Sequence, residues 1–287
     1  MDAGSQPSVS VVSVAYNSVG VLPDMAASLP AGVDLIVVDN GPDDGLRAWA
    51  EHAGHKVIVP GENLGFGGGC NLGARDVQSD FIFFLNPDAR LMEGALETLL
   101  KQAGKHPNAS AFGPQFGVTV QNRYKVRPSK ILWRGFFAKR YTRPDVPTPV
   151  PSLNGAGILV RRDAFEAIGG FDERIFLFFE DDDISLRLAA KQGPLIYVPE
   201  ARVLHAIASS SPSSLELVEF KAYHYLRGYV YTLSKHGRSV PKLRGCLNVV
   251  RRFISLRNLS SAERRADARG RFRGLASILG EALPRSY

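Results

Sequence analysis

Apolar and polar positions alternate along the first hundred residues in two rhythms. Residues 8–15 (SVSVVSVA), 35–39 (LIVVD), 57–59 and 81–85 (FIFFL) are short β-branched or aromatic runs ending in polar residues, as strands buried on both faces do. Residues 21–28, 46–52, 69–77 and 93–104 carry helix-compatible spacing between and after them. This alternation predicts right-handed βαβ units on a mostly parallel sheet, where ligands bind at the carboxyl ends of the strands. Polar residues gather at those ends: Tyr16 and Asn17, then Asp39 and Asn40, then Glu62 and Asn63, then Asn86 and Asp88.

Periodicity fades from residue 115 to 151, where proline and basic residues predict a long loop region holding one strand pair. A strand-like segment (LNGAGILVRR, 153–162) and a short helix at 163–168 lead to Gly169-Gly170-Phe171-Asp172 and then to IFLFFEDDDISLRL, 175–188. A further strand, 195–198, precedes His205. After a serine-rich break at 209–214 the spacing turns helical, with Leu215, Val218, Ala222, Tyr225, Tyr229 and Leu233 on one face. A second helix, 242–256, sets Leu243, Cys246, Leu247, Val250, Phe253 and Ile254 opposite Arg244, Arg251 and Arg252, and Ser260 with Glu263 forms a capping box for a third. The chain therefore divides into an α/β domain over residues 1–211 and a basic, amphipathic helical extension over 212–287.

A hydrophobic content of 45% in 287 residues suffices for one large core. Two cysteines, Cys70 and Cys246, make neither a disulfide framework nor a zinc set, and no run approaches a membrane span or a secretory leader. These features predict a cytoplasmic protein. The net charge of +7 is uneven: from Lys235 to Arg273 twelve Lys/Arg face only Glu263 and Asp267, a net of +10 that leaves the rest at −3. Such a segment suits peripheral contact with the anionic inner face of a membrane. Nucleic-acid binding is disfavoured, since basic residues are not interleaved with aromatics on a strand platform and the acidic cluster would repel phosphate.

The most informative stretch is Glu180, Asp181, Asp182 and Asp183, four consecutive carboxylates after an aromatic run. Acids at that spot cap a helix, and one of them, desolvated by the apolar residues before it, can act as a general base; Asp181 is the candidate. Asp88, on the loop after a very apolar strand, can bind a hard divalent ion such as Mg²⁺ or Mn²⁺, and His205 can supply a further ligand or hydrogen-bond a phosphate. The run NLGFGGGCNLG, 63–73, allows close backbone approach to phosphate or ribose, but Cys70 stands where a dinucleotide fingerprint needs its third glycine.

In this order, AYN, IVVDN, ENLGFGGGCNLG, FFLNPDA, NGAGILVRR, GGFDE, FFEDDDISLRL and H-x-x-x-S resemble glycosyltransferase family 2, in its bacterial rhamnosyltransferase-like branch, over about residues 9–211. The resemblance implies a GT-A-type Rossmann-like fold, a nucleotide-sugar donor (dTDP-rhamnose, or a UDP-hexose or galactofuranose), a glycan or lipid-linked acceptor, a divalent metal and inversion at the anomeric carbon. It also implies that Tyr16, Asn17 and Asp39 hold base and ribose, that Asn63 and Gly65 line the donor, and that Asp88 is the metal-binding acid, with Asn86, a neutral ligand, where the family has its first acid. It places Asn154, Gly155 and Ala156 on the acceptor side, with Glu180 beside them and Asp181 as the base. Retaining hydrolysis by paired carboxylates leaves the first four polar loops without a purpose.

Overall fold

The computed structural model describes residues 7–117, 131, 144–205, 214–254 and 261–284. Strands β1 (Val9–Ala15), β2 (Asp34–Asp39), β3 (Lys56–Ile58) and β4 (Phe81–Leu85) pair in parallel in the order β3-β2-β1-β4. All five residues of FIFFL are buried, which explains the unbroken apolar run: side chains of β4 meet core on both faces. Helices α1 (Leu22–Ala27), α2 (Leu46–His52), α3 (Gly65–Ala74) and α4 (Ala95–Lys105) connect and cover these strands. Helix α3 begins four residues before the sequence reading placed it, because its glycines are a packing face. A Cβ at Gly73 would stand 2.5 Å from Val12 Cγ1, so α3 lies closer to β1 than any larger residue permits.

The sheet continues through β8 (Gly157–Arg161), β6 (Ala111–Gly117), β9 (Leu195–His205) and β5 (Ala89–Leu91), with β7 (Thr148–Val150) on β9. Strand β8 runs antiparallel to both β4 and β6, and β6 is parallel to β9. Six of the nine described strands therefore share one direction, against β5, β7 and β8. Two expectations fail here. Residues 111–117 (AFGPQFG), with their Gly and Pro, form a fully buried strand whose register shifts between Pro114 and Gln115, and β9 runs through Pro199 to end on His205 itself. The strand expected at 153–162 is confined to β8, and residues 152–156 remain a loop.

One core cluster, around Val11, Val37, Phe83 and Leu99, lies on the α1 and α4 side of the sheet; a second, around Val12, Phe84, Phe165 and Leu188, lies under α3, α5 (Arg162–Ala167) and α6 (Glu180–Lys191). Three helices follow: α7 (Leu215–Lys235), α8 (Pro241–Ile254) and α9 (Ala262–Leu279). A third cluster, with Ile175, Phe179, Val230, Leu233 and Ile278, fastens α7 and α9 to the segment before α6. Its polar counterpart is Asp183, fully buried, with Arg187 Nε at 2.8 Å, Lys235 Nζ at 2.8 Å and His236 Nε2 at 2.8 Å. Burial would raise its pKa, but the His236 hydrogen bond and the Arg187 and Lys235 charges hold it below the ordinary carboxylate value.

The C-terminal helices depart from the expected faces. Of the expected α7 face Ala222 and Leu233 are buried but Leu215 is exposed, and α7 also buries Leu226 and Val230, which lie outside that face. In α8 the buried residues are Gly245 and Val249, while Leu243, Leu247, Val250, Phe253 and Ile254 of the apolar set are exposed. Helix α9 is capped by Ser261, whose side chain accepts from the backbone N–H of Arg264; Ser260, like residues 206–213 and 255–256, lies outside the described residues.

Candidate active site

The carboxyl end of β1 delivers Tyr16, 44% exposed, and Asn17, whose φ of 52° turns the chain sharply. At the end of β2, Asp39 is 1% exposed and its Oδ2 accepts from Arg47 Nε at 2.6 Å, an ion pair the sequence reading missed because the partner comes from α2. Asp39 thus presents no free carboxylate edge and instead fixes a cation beside Tyr16's loop. Its neighbour Asn40 is the structural centre of this side. Asn40 Nδ2 donates to Asn63 Oδ1 and to the Gly65 carbonyl, each at 2.9 Å, while Asn40 Oδ1 accepts from the Leu64 N–H at 2.9 Å. Asn63 Oδ1 also accepts from the Gly65 N–H.

Gly65 has φ +73°, and a Cβ there would fall 2.2 Å from the Phe176 carbonyl oxygen, which accepts from the Phe66 N–H at 3.1 Å. The glycine loop is thereby sewn to the segment that leads to the acidic cluster. A second stitch joins Asn71 of α3 to Phe171 in both directions, at 3.0 and 2.8 Å.

After β4 the chain reads Asn86-Pro87-Asp88. The Asn86 N–H donates to the Ala156 carbonyl at 3.0 Å, joining this loop to Asn154, Gly155 and Ala156, and Asn154 Oδ1 accepts from the Ala156 N–H at 3.0 Å. The next strand, β5, pairs Ala89 with His205 on β9, which sets Asp88 Oδ1 3.2 Å from His205 Nε2. Both side chains are largely but not wholly shielded. Carboxylate oxygen and imidazole nitrogen together suit Mn²⁺ and, less well, Mg²⁺. Among the described residues no group of three or more His, Cys, Asp or Glu is placed to hold an ion, so a cation here would take the rest of its shell from water or a bound ligand.

The acidic cluster opens α6. Asp181 Oδ2 accepts from the Gly155 N–H at 3.2 Å, and a Cβ at Gly155 would come within 3.1 Å of Asp181 Cβ, so the acid lies directly against the 154–156 loop. Phe178 and Phe179, immediately before it, have φ of 69° and 72°. Left-handed backbone in bulky residues costs of order 1–3 kcal/mol each. Packing holds it: Phe179 sits 5.0 Å from Tyr225 between ring centroids, and a Cβ at Gly228 of α7 would reach the Phe178 carbonyl at 2.7 Å.

The strongly raised carboxyl is Glu180. Its Oε2 is buried without a hydrogen-bond partner among the described residues, and desolvation first, then the charges of Asp181 and Asp182, push its pKa to about 8. The same burial, with the Glu180 charge, drives the Cys70 thiol upward. Sequence reasoning assigned the desolvated carboxyl to Asp181; the structure gives that environment to the residue before it, whose side chain turns inward toward α3. Three of the four acids therefore divide: Glu180 with one carboxyl oxygen buried and its pKa raised, Asp181 against the 154–156 loop, and Asp183 an ion-paired anchor.

Residues 10–169 match the family model for glycosyl transferase family 2. The N-acetylglucosaminyl-diphospho-decaprenol L-rhamnosyltransferase of Mycobacterium tuberculosis is 30% identical over 79% of this chain and 84% of its own length. Rhamnosyltransferase WbbL of Escherichia coli K12 is 28% identical over 60% of this chain and 72% of its own. The fold is similar to that of GalNAc-T7, solved with UDP, GalNAc and Mn²⁺ (TM-score 0.65, 16% identity, 92% of this chain and 54% of that one). It is also similar to a mannosyltransferase from Pyrobaculum calidifontis, solved with GDP-Man and Mn²⁺ (TM-score 0.58, 17% identity, 98% and 78%).

Proposed function

The chain belongs to glycosyl transferase family 2, and from that premise we propose that it is an inverting rhamnosyltransferase that moves rhamnose from dTDP-rhamnose to a hydroxyl of a lipid-linked glycan in cell-surface polysaccharide synthesis. The observation that carries the reading is the continuous line from Asp88 and His205, through Asn86 and the 154–156 loop, to Asp181. One end of that line suits a diphosphate and the other a sugar hydroxyl.

Tyr16 offers an exposed ring for the base to stack on, and Asn17 and the Asp39–Arg47 pair border the ribose. Asn40 and Asn63 hold the backbone around Gly65 open for the diphosphate-sugar. Asp181 accepts the proton of the acceptor hydroxyl as its oxygen bonds to the anomeric carbon; the bond from that carbon to the diphosphate oxygen breaks on the opposite face, and the electron pair leaves with the nucleotide. The Gly155 N–H orients the Asp181 carboxylate, and the burial of Glu180 Oε2, which raises its pKa, disfavours a second charge beside the attacking oxygen. Asp88 and His205 are the residues that would hold a divalent cation, whose chemistry is charge neutralisation on the departing diphosphate.

A UDP-hexose or galactofuranose donor is the second reading; transfer of a hexose, though not the nucleotide, is in line with the low-salt glycan biosynthesis hexosyltransferase Agl10 of Haloferax volcanii, 24% identical over 69% of this chain and 66% of its own length. The test is transfer from dTDP-rhamnose, UDP-glucose and UDP-galactofuranose to a polyprenyl-diphospho-N-acetylglucosamine acceptor, with the product anomer assigned by NMR. Rhamnose transfer with inversion is expected; retention, or hydrolysis without transfer, overturns the mechanism, and turnover of a UDP-sugar alone overturns the donor.

A further inference from the structure

Helix α8 carries two faces, and only one of them is used by the rest of the molecule. Its packed face is Gly245 and Val249, buried against α7 and α9. A Cβ at Gly245 would stand 2.7 Å from Val230 Cγ2 and 3.2 Å from Leu275 Cδ1, so the helix is seated too closely to roll about its axis. The opposite face is a stripe at helical spacing, Leu243, Leu247, Val250 and Ile254, with exposures of 55%, 48%, 47% and 73%. Phe253 and Phe272 of α9, 56% and 55% exposed and in edge contact at 6.3 Å between centroids, widen it. A contiguous apolar surface of this kind on a protein in water marks an interface.

The charges around the stripe select the partner. Helix α8 holds Lys242, Arg244, Arg251 and Arg252 and no acid, and Arg244 and Arg251, seven residues apart, flank the same edge of the stripe. A second copy of the chain docked with its α8 antiparallel about a two-fold axis would bring these arginines toward their own counterparts. An anionic bilayer meets both features together, apolar side chains entering the acyl boundary while the arginines stay at the headgroups. No described helix is long and apolar enough to cross a membrane. We propose that the outer face of α8, centred on Leu247 and Val250, docks the enzyme parallel to an anionic lipid surface. The inference deepens the lipid-linked acceptor reading above.

The test is co-sedimentation of the full chain with vesicles of phosphatidylcholine alone or mixed with phosphatidylglycerol, at low and high salt, read without any transfer assay so that its failure is separate from failure of the enzymatic reading. Binding to the anionic vesicles is expected, reduced by salt. The double variant Leu247→Ser/Ile254→Ser should lower the partition coefficient at least about tenfold, and Arg244→Gln/Arg251→Gln roughly thirtyfold on anionic vesicles with no change on neutral ones. Leu247, Arg251 and Ile254 are exposed, and Arg244 is half-buried with a long hydrogen bond to Ser239 Oγ, so circular dichroism and the melting temperature should stay close to wild type. Absence of binding, equal binding to neutral vesicles, or binding unaltered in both double variants overturns the proposal. So does a dimer seen by light scattering that the Leu247→Ser/Ile254→Ser variant dissolves, which would assign the stripe to a second copy.

Discussion

Glu180→Gln isolates the electrostatics of the acidic cluster. The buried carboxyl has its pKa pushed from 4.5 to about 8. A raised carboxyl pKa means that the folded protein keeps a proton the unfolded chain releases. Stability from this group is therefore greatest below about pH 4.5, declines as pH rises, and is gone above about pH 8. The slope in that window is about 1.4 kcal/mol per pH unit, and the full span corresponds to an upper bound of about 5 kcal/mol. Gln cannot ionise. It carries a constant cost for a buried amide, so the discriminating quantity is the pH dependence and not the absolute stability. Urea unfolding of wild type and Glu180→Gln from about pH 5 to pH 8 should give curves that converge or cross, wild type losing stability relative to the variant by on the order of 1 kcal/mol per unit. Asp172 and Asp183 do not confuse the comparison. Asp172 is held at about 2, against burial, by Lys235 and Tyr231, and Asp183 is likewise lowered, so their contributions are complete above the ordinary carboxylate range and lost only in acid. Parallel stability curves for wild type and Glu180→Gln would refute the assignment of the raised carboxyl to Glu180.

Three further outcomes follow from the same geometry. Asp88→Ala should weaken metal-dependent binding of the nucleoside diphosphate, measured by calorimetry, far more than binding of the bare nucleoside; equal losses would remove Asp88 from the diphosphate. Gly65→Ala, which forces a Cβ to 2.2 Å from the Phe176 carbonyl at φ +73°, should lower stability by about 2 kcal/mol or more and raise the donor KM. Asp183→Ala removes a fully buried carboxylate shared by the half-buried Arg187 and Lys235 and should cost about 3–5 kcal/mol in chemical denaturation, although this residue touches no substrate in the proposed mechanism.

The alternating strand and helix pattern was legible because β1, β2 and β4 are buried on both faces and local in sequence, and FIFFL ends where β4 ends. Asp88 and His205 could be nominated one by one, since each follows an apolar strand. Their proximity could not, because it depends on β5 pairing with the far end of β9, more than a hundred residues away. Long-range partners also explain the other misses. Strand β6 contains Gly113 and Pro114, which weaken any local strand signal, and it exists because β8 and β9 lie on either side. Arg47 and Asn40 gain meaning only once α2 and the glycine loop fold over the end of β2. The run EDDD marked a candidate site but not its division, for the surroundings of Glu180 and the ion pairing of Asp183 are set by α3 and α7. On α8 the apolar stripe was legible but the face that packs was not, because Gly245, a weak signal in sequence, decides which side seats on Val230.

The most direct test of the central claim is the turnover of Asp181→Asn beside its donor affinity. Asn keeps the shape of the side chain and an oxygen for the Gly155 N–H but cannot take a proton from the acceptor. With dTDP-rhamnose and a polyprenyl-diphospho-N-acetylglucosamine acceptor, kcat should fall by at least about 10²-fold while the Kd for dTDP stays within about twofold of wild type. Near-normal kcat in this variant would contradict the account and move the base elsewhere in the acidic cluster.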